Sequence, residues 1–246
     1  AIAAASAVAG LAASKLRVSA EKGAARRLAM VIDLQRCTGC RACAVACKAE
    51  HNVPLGAFRS YVSQVELVYA STINRHFVPR MCNQCDRPAC TKVCPVGATS
   101  KREDGAVLVR KDRCIGCRYC TVACPYGARS FKWRRVASGD GFDWPARKYG
   151  VVDKCDLCVH RLDKGIEPAC VNTCPAKARV FGDLNDSESE VSRLVSGEAV
   201  TTLVPELGTR PSVFYINLHH DVSHASLGAG SRLDVVQVNV RPPVEA

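Results

Sequence analysis

The sequence predicts an α+β chain assembled from four similar units of strand, loop, short helix and strand, and three observations carry that prediction. Sixteen cysteines fall into four groups of four with none left over. Three groups end in the same C-P-x-x-A step: Cys94-Pro95-Val96-Gly97-Ala98, Cys124-Pro125-Tyr126-Gly127-Ala128 and Cys174-Pro175-Ala176-Lys177-Ala178. Short strand-like runs stand before and after the groups.

Residues 1–14 are small, uncharged and mostly apolar, and a polar, basic segment follows up to Arg27. The stretch is too short to span a bilayer and suits the weakly hydrophobic region of a twin-arginine signal. That route exports folded proteins, so the outer face of the cytoplasmic membrane is expected, with the cytoplasmic face as the alternative. An ordinary alanine-rich packing helix is the competing reading. No other segment is apolar enough to cross a membrane, so attachment would come through a partner.

Strands are expected at 28–34, before the first group, and at 76–81, before the second. Runs 99–101 and 106–109 flank Asp104-Gly105, a hairpin signal. Further strands are expected at 129–133, 149–152 and 179–181. An insertion at 52–75 and a loop at 136–145 are candidate partner-contact surfaces. A helix is expected over 187–194, with Ser187 as its cap and Glu190 at the capping-box position. An apolar strand follows at 213–218, and the tail from His219 carries no motif. The chain thus divides into 1–27, signal-like; 28–185, the four cysteine units; and 186–246, a C-terminal extension suited to docking.

The cysteine spacing carries the chemistry. Group one (Cys37, Cys40, Cys43, Cys47) and group three (Cys114, Cys117, Cys120, Cys124) both read C-x2-C-x2-C-x3-C, the bacterial ferredoxin run. Group two (Cys82, Cys85, Cys90, Cys94) widens the middle gap to x4, and group four (Cys155, Cys158, Cys170, Cys174) widens it to x11. The tight loop lets three thiolates reach one iron-sulfur cube, while the last cysteine begins a helix and points away. In two-cluster ferredoxins that fourth cysteine ligates the other cluster. Four such units make two ferredoxin-like domains, each with two [4Fe-4S] clusters. Zinc sites use two C-x2-C pairs rather than this run. A disulfide framework belongs to short secreted domains, and 246 residues suffice for a core.

The formal net charge of +11 suggests an acidic partner, but it counts every cysteine as neutral. An oxidised cube with four thiolates carries about −2, so four contribute about −8, and the assembled protein is only mildly basic. No nucleic-acid partner is expected. Arg36, Arg41, Arg113, Arg118, Lys48 and Lys154 stand beside ligand cysteines, where positive charge favours reduction, or are simply solvated. Tyr119, Tyr126, Trp133 and Trp144 are expected to shield clusters from water rather than carry electrons. His219, His220 and His224 lack any accompanying metal signature. No paired carboxylates, activated nucleophile or phosphate loop stands out, so the chain is not expected to be an enzyme alone.

The ordered groups resemble the electron-transfer subunits of the dimethyl sulfoxide reductase superfamily over about residues 28–194. Supporting stretches are Asp33-Leu34-Gln35-Arg36-Cys37, Arg80-Met81-Cys82-Asn83-Gln84-Cys85, Lys101-Arg102-Glu103-Asp104-Gly105 and Cys158-Val159-His160-Arg161. Phe214-Tyr215, after Pro205-Glu206-Leu207-Gly208, looks most like the tetrathionate and polysulfide reductase branch. The resemblance implies two ferredoxin-like domains, 28–75 with 146–185 holding groups one and four and 76–145 holding groups two and three, and four ligand sets: Cys37, Cys40, Cys43 with Cys174; Cys155, Cys158, Cys170 with Cys47; Cys82, Cys85, Cys90 with Cys124; and Cys114, Cys117, Cys120 with Cys94. Some members replace the second cysteine of group three by Trp and carry a three-iron cluster; Cys117 stands here, which implies four [4Fe-4S] clusters. The partners implied are a molybdenum or tungsten bis-pterin catalytic subunit and a quinone-reactive integral membrane subunit. The alternative is a quinol-linked carrier to a multihaem nitrite-reducing cytochrome, and a remote one is a structural metal-binding protein.

Overall fold

A computed structural model of the chain describes residues 26–69, 72–133, 149–225 and 235–239. The loop expected at 136–145 and nearly all of the signal-like segment lie outside these residues. Leu28–Asp33 forms β1, and its residues are buried from Leu28 to Ile32. A run without polar alternation suits a strand covered on both faces, and β1 has neighbours on both edges. Ala42–His51 (α1) follows the group-one loop, and Ser60–Tyr69 (β2) pairs antiparallel with Thr72–Met81 (β3) from Ser60↔Met81 to Tyr69↔Thr72.

The next stretch runs through Ala89–Lys92 (α2), Thr99–Lys101 (β4), Val107–Val109 (β5), Tyr119–Val122 (α3), Arg129–Phe131 (β6) and Val152–Lys154 (β7). Strands β4 and β5 form the hairpin that Asp104-Gly105 announces, with Gly105 at φ 86 and the Gly105 N–H donating to Arg102 O at 3.0 Å. Strands β6 and β7 form a second antiparallel pair. β7 begins at Val152 rather than Tyr149, because Gly150 at φ 71 turns the chain just before it.

Val159–Leu162 (α4), Ala169–Asn172 (α5) and Arg179–Asp183 (β8) complete the fourth unit, and Glu190–Gly197 (α6), Val200–Thr201 (β9), Val213–Ile216 (β10), His220–Ala225 (α7) and Val235–Asn239 (β11) follow. A 3-10 turn lies at Pro205–Leu207. Strand β10, from the expected extension, lies inside a sheet of order β8-β1-β10-β9, parallel to β1 with Met30 opposite Val213. Tyr215, fully buried on β10, donates its hydroxyl to Pro79 O at 2.9 Å.

Two expectations shift. Helix α6 starts at Glu190 with Ser189, not Ser187, at its cap, and Ser189 makes no side-chain capping bond. The Asp186 carboxylate accepts the Glu188 N–H at 2.9 Å and its carbonyl accepts the Ser189 N–H at 3.1 Å, so a turn occupies the place of the first helical residues. The insertion is not a loop throughout: β2 and the start of β3 fall in it, and β11 from the tail joins β2 in parallel. Glu66 on β2 fastens this sheet, accepting from Arg75 Nε at 2.9 Å and Gln237 Nε2 at 3.0 Å. One apolar cluster runs through all of this, joining Met30, Ile32, Val65, Val78 and Tyr215 to Cys43, Cys82, Cys155 and Cys170. Among the described residues no helix is long and apolar enough to cross a membrane.

Candidate metal centres

All sixteen cysteines carry free thiols, and the backbone explains how four C-x-x-C loops present them. In each loop the residue before the second cysteine is left-handed: Gly39 at φ 72, Gln84 at φ 47, Gly116 at φ 76 and Leu157 at φ 57. That single reversal curls the loop so that both thiols face inward. Arg41 and Arg118 repeat the conformation at φ 62 and φ 65, just before α1 and α3. The C-P-x-x-A steps share a second reversal at their fourth position, Gly97 at φ 60, Gly127 at φ 57 and Lys177 at φ 46. Pro after the last cysteine offers no N–H and stops the short helix. The following N–H groups then turn back onto the sulfur: Thr99 donates to Cys94 Sγ at 3.4 Å and Ala178 to Cys174 Sγ at 3.3 Å.

The loops bring the cysteines into sets of four. One cavity is lined by Cys37, Cys40, Cys43 and Cys174. A second is lined by Cys114, Cys117, Cys120 and Cys94. Cys47 lies within the electrostatic reach of Cys170 and Cys158, and Cys85 within that of Cys82, Cys124 and Cys90. In both cavities three thiols come from one group and the fourth from another.

Burial and mutual repulsion decide the chemistry of these thiols. Burial, then the neighbouring Cys82, pushes Cys85 up to about 12. Burial likewise pushes Cys158 up to about 12, and Cys155 rises well above its ordinary value. Cys94 moves the other way: burial would raise it, but the N–H groups of Thr99, Val96 and Ala98 outweigh that. Four crowded thiols cannot all ionise in a dry pocket by themselves, whereas coordinated iron deprotonates them and reverses the local balance. The all-sulfur donor sets, the N–H donors and the dry surroundings therefore fit iron-sulfur clusters.

The sets also stand in a row. Cys43 of the first set perturbs Cys170 of the group-four set. Cys155 of that set feels Cys82 of the group-two set, and Cys120 of the group-three set feels Cys90. All four cysteines of the group-four set are buried, whereas Cys40 in the first set and Cys117 in the group-three set are exposed.

The flanking residues divide by exposure. Arg36, Arg41, Arg113 and Arg118 are exposed. Lys154 is buried, and its Nζ donates to the carbonyls of Val107 and, at 2.7 Å, Cys155. Lys48 Nζ donates to Pro54 O and Ala57 O and lies 4.3 Å from the Phe58 ring centroid. Tyr126 is buried and bonded to Thr209 Oγ1, while Tyr119 and Trp133 are exposed; Trp133 packs edge-on against Phe131, with ring centroids 4.5 Å apart, and lies near Arg118. Trp144 lies outside the described residues. His224 pairs with Glu206 at 2.8 Å and His220 with Asp221 at 3.3 Å.

Several buried groups escape the sequence reading. Gln84 donates to Cys155 O at 2.9 Å and accepts the Val107 N–H at 2.7 Å, spanning the junction between the group-two and group-four loops. Arg59 grips Asp153 with two bonds, at 2.9 and 2.7 Å, and Asp156 with a third at 3.0 Å. His51 Nε2 lies 3.1 Å from Cys158 Sγ. Arg179 and Arg129 lie among the cysteines themselves. The only sequence signal for that pair is their shared place directly after the C-P-x-x-A step.

Residues 73–184 match the family described as 4Fe-4S dicluster domain, and residues 28–49 match the 4Fe-4S binding domain. The chain is 43% identical over 206 residues to the B subunit of selenate reductase from Mesobacillus selenatarsenatis, covering 76% of this chain and 70% of that protein. It is 43% identical over 196 residues to the B subunit of tetrathionate reductase from Salmonella typhimurium, covering 78% and 73%. It is also 38% identical over 223 residues to the iron-sulfur cluster-binding subunit of menaquinone reductase from Nitratidesulfovibrio vulgaris, covering 76% and 88%. With ferredoxin-type domains and relatives of this identity over most of its length, the chain belongs to the iron-sulfur electron-transfer subunits of the dimethyl sulfoxide reductase superfamily.

Proposed function

We propose that the chain carries four [4Fe-4S] clusters in two ferredoxin-like domains and relays electrons between a quinone-reactive membrane subunit and a molybdenum or tungsten bis-pterin catalytic subunit. The observation that carries the reading is the row of four cysteine sets, with the buried group-four set and the partly buried group-two set inside and exposed cysteines, Cys40 and Cys117, at its two ends. Each cluster, when bound, supplies a one-electron redox couple. The sixteen cysteines would hold the clusters in the sets given above. The core residues around Cys155, Cys170 and Cys82 exclude water, and the N–H groups of Thr99 and Ala178 stabilise charge on Cys94 and Cys174. The ends at Cys40 and Cys117 are where partners would approach.

Partner classes follow from relatives named as subunits of selenate, tetrathionate and menaquinone reductases. Export in the folded state would place the complex on the outer face of the cytoplasmic membrane. Anaerobic isolation of the native complex from outer-face membrane fractions, with metal and haem analysis, tests this. Molybdenum or tungsten together with a hydrophobic subunit is the expected result. Haem without either metal would replace the pterin partner by a cytochrome, and recovery from the cytosolic side would overturn the placement.

A further inference from the structure

Two buried arginines occupy one place in the repeat. Arg129 follows Ala128 and opens β6; Arg179 follows Ala178 and opens β8. Each is 3% exposed. Arg179 Nη2 lies 3.5 Å from Cys43 Sγ, and its Nη1 lies 3.7 Å from Cys170 Sγ. Those sulfurs belong to different sets, the first and the group-four set. The guanidinium also reaches Met81 Sδ at 3.1 Å and Ser60 Oγ at 3.4 Å. Among the described residues no carboxylate pairs with it.

A buried guanidinium without a carboxylate is expensive to keep unless negative charge comes from elsewhere. Among the described residues the groups at hand that can carry negative charge beside it are cysteine sulfurs. Arg129, at the matching place after Ala128, donates from Nη1 to Thr99 Oγ1 at 3.3 Å. Arg179 is thus a fixed cation between two sets. The exposed Arg36, Arg41, Arg113 and Arg118 hold no such position.

We propose that Arg179 is a positioning residue that sets reduction potential, a shared cation that raises the potentials of the two clusters it lies between together. The inference rests on the four-cluster reading above. In one hop a donor site loses one electron and its neighbour gains that electron, while the guanidinium keeps its proton. Because the distances from Arg179 to Cys43 and Cys170 differ by so little, the cation stabilises the electron almost equally on either side. An equal shift leaves the difference between the two potentials unchanged, so the cation itself biases the hop in neither direction.

The test is an EPR-monitored redox titration of the full chain with its clusters, for wild type, Arg179→Gln, Arg179→Lys and the exposed control Arg193→Gln on α6. Arg179→Gln should make reduction of two clusters about tenfold less favourable, a fall of about 59 mV for a one-electron couple, and leave the other two in place. Arg179→Lys, which keeps the charge, should restore most of the shift, and Arg193→Gln should move nothing. Full iron content with unshifted potentials, a shift in one cluster alone, or a Lys variant as low as the Gln variant overturns the inference. Should Arg179→Gln lose iron, Arg179→Met replaces it and is read by the same criteria. Wild-type iron far below four clusters overturns the underlying reading, and this inference with it.

Discussion

Asp104 shows how much one turn residue can carry. Its Oδ1 accepts the Ala106 N–H at 3.2 Å, its Oδ2 accepts Arg102 Nε at 2.9 Å, and its carbonyl accepts the Leu28 N–H at 3.0 Å, which ties β1 to the β4–β5 hairpin. Burial alone would raise the carboxyl's pKa, but the Arg102 guanidinium and the Ala106 N–H hold it below the usual range. A depressed folded-state pKa means stability that is present above the unfolded value of about 3.9 and lost as pH falls through the folded one. Asp104→Asn should therefore cost about 1–2 kcal/mol at pH 7, and the gap to wild type should close below about pH 4. Denaturant midpoints of the two proteins at several pH values check this; a gap independent of pH would contradict it. Asp104-Gly105 could be read as a turn because the signal is local. Arg179 could not be read as a contact of Cys43, because 136 residues separate them and only the sheet brings them together.

The elements divide along the same line of local against distant cause. The four C-x-x-C loops were legible because a cysteine spacing dictates its own backbone path. Gly39 meets both demands of that path, a left-handed φ of 72 and a Phe77 ring 2.5 Å from where a Cβ would stand. Gly39→Ala should cost about 2–4 kcal/mol and strip iron from the first site, whereas Gly97→Ala, with open space around it, should cost only about 1 kcal/mol. Iron content and thermal midpoints of the two variants check the contrast, and equal effects would refute the steric account. The β2–β3 hairpin was not legible for a physical reason. Ser60, Ser63 and Glu66 are buried alongside Val62, Val65 and Leu67, so the strand lacks the apolar-polar alternation that marks a half-exposed one. Helix α6 was legible as an element but not in its start, because Asp186 rather than Ser187 organises the turn before it.

At the scale of the whole molecule, the C-terminal segment is what sequence reading places least well. Strand β10 is legible as an apolar strand, but not its place between β1 and β9, where Tyr215 is buried against Pro79. Its partners are set by a parallel pairing with a strand near the other end of the chain, a contact no local pattern encodes. The cysteine groups are the opposite case, since the resemblance already implies that group one pairs with group four and group two with group three, while the order of the sets in the row shows only in the fold. Group four meets group one, and group two meets group three, with Gln84 and Lys154 at the junction of the halves. That row is the central claim, and iron and acid-labile sulfide per chain, measured on the anaerobically purified protein, test it most directly. About sixteen of each, with EPR spectra integrating to four one-electron centres on full reduction, is the expected result. About eight irons would leave half the sets without a cluster, and zinc in place of iron would contradict the account as a whole.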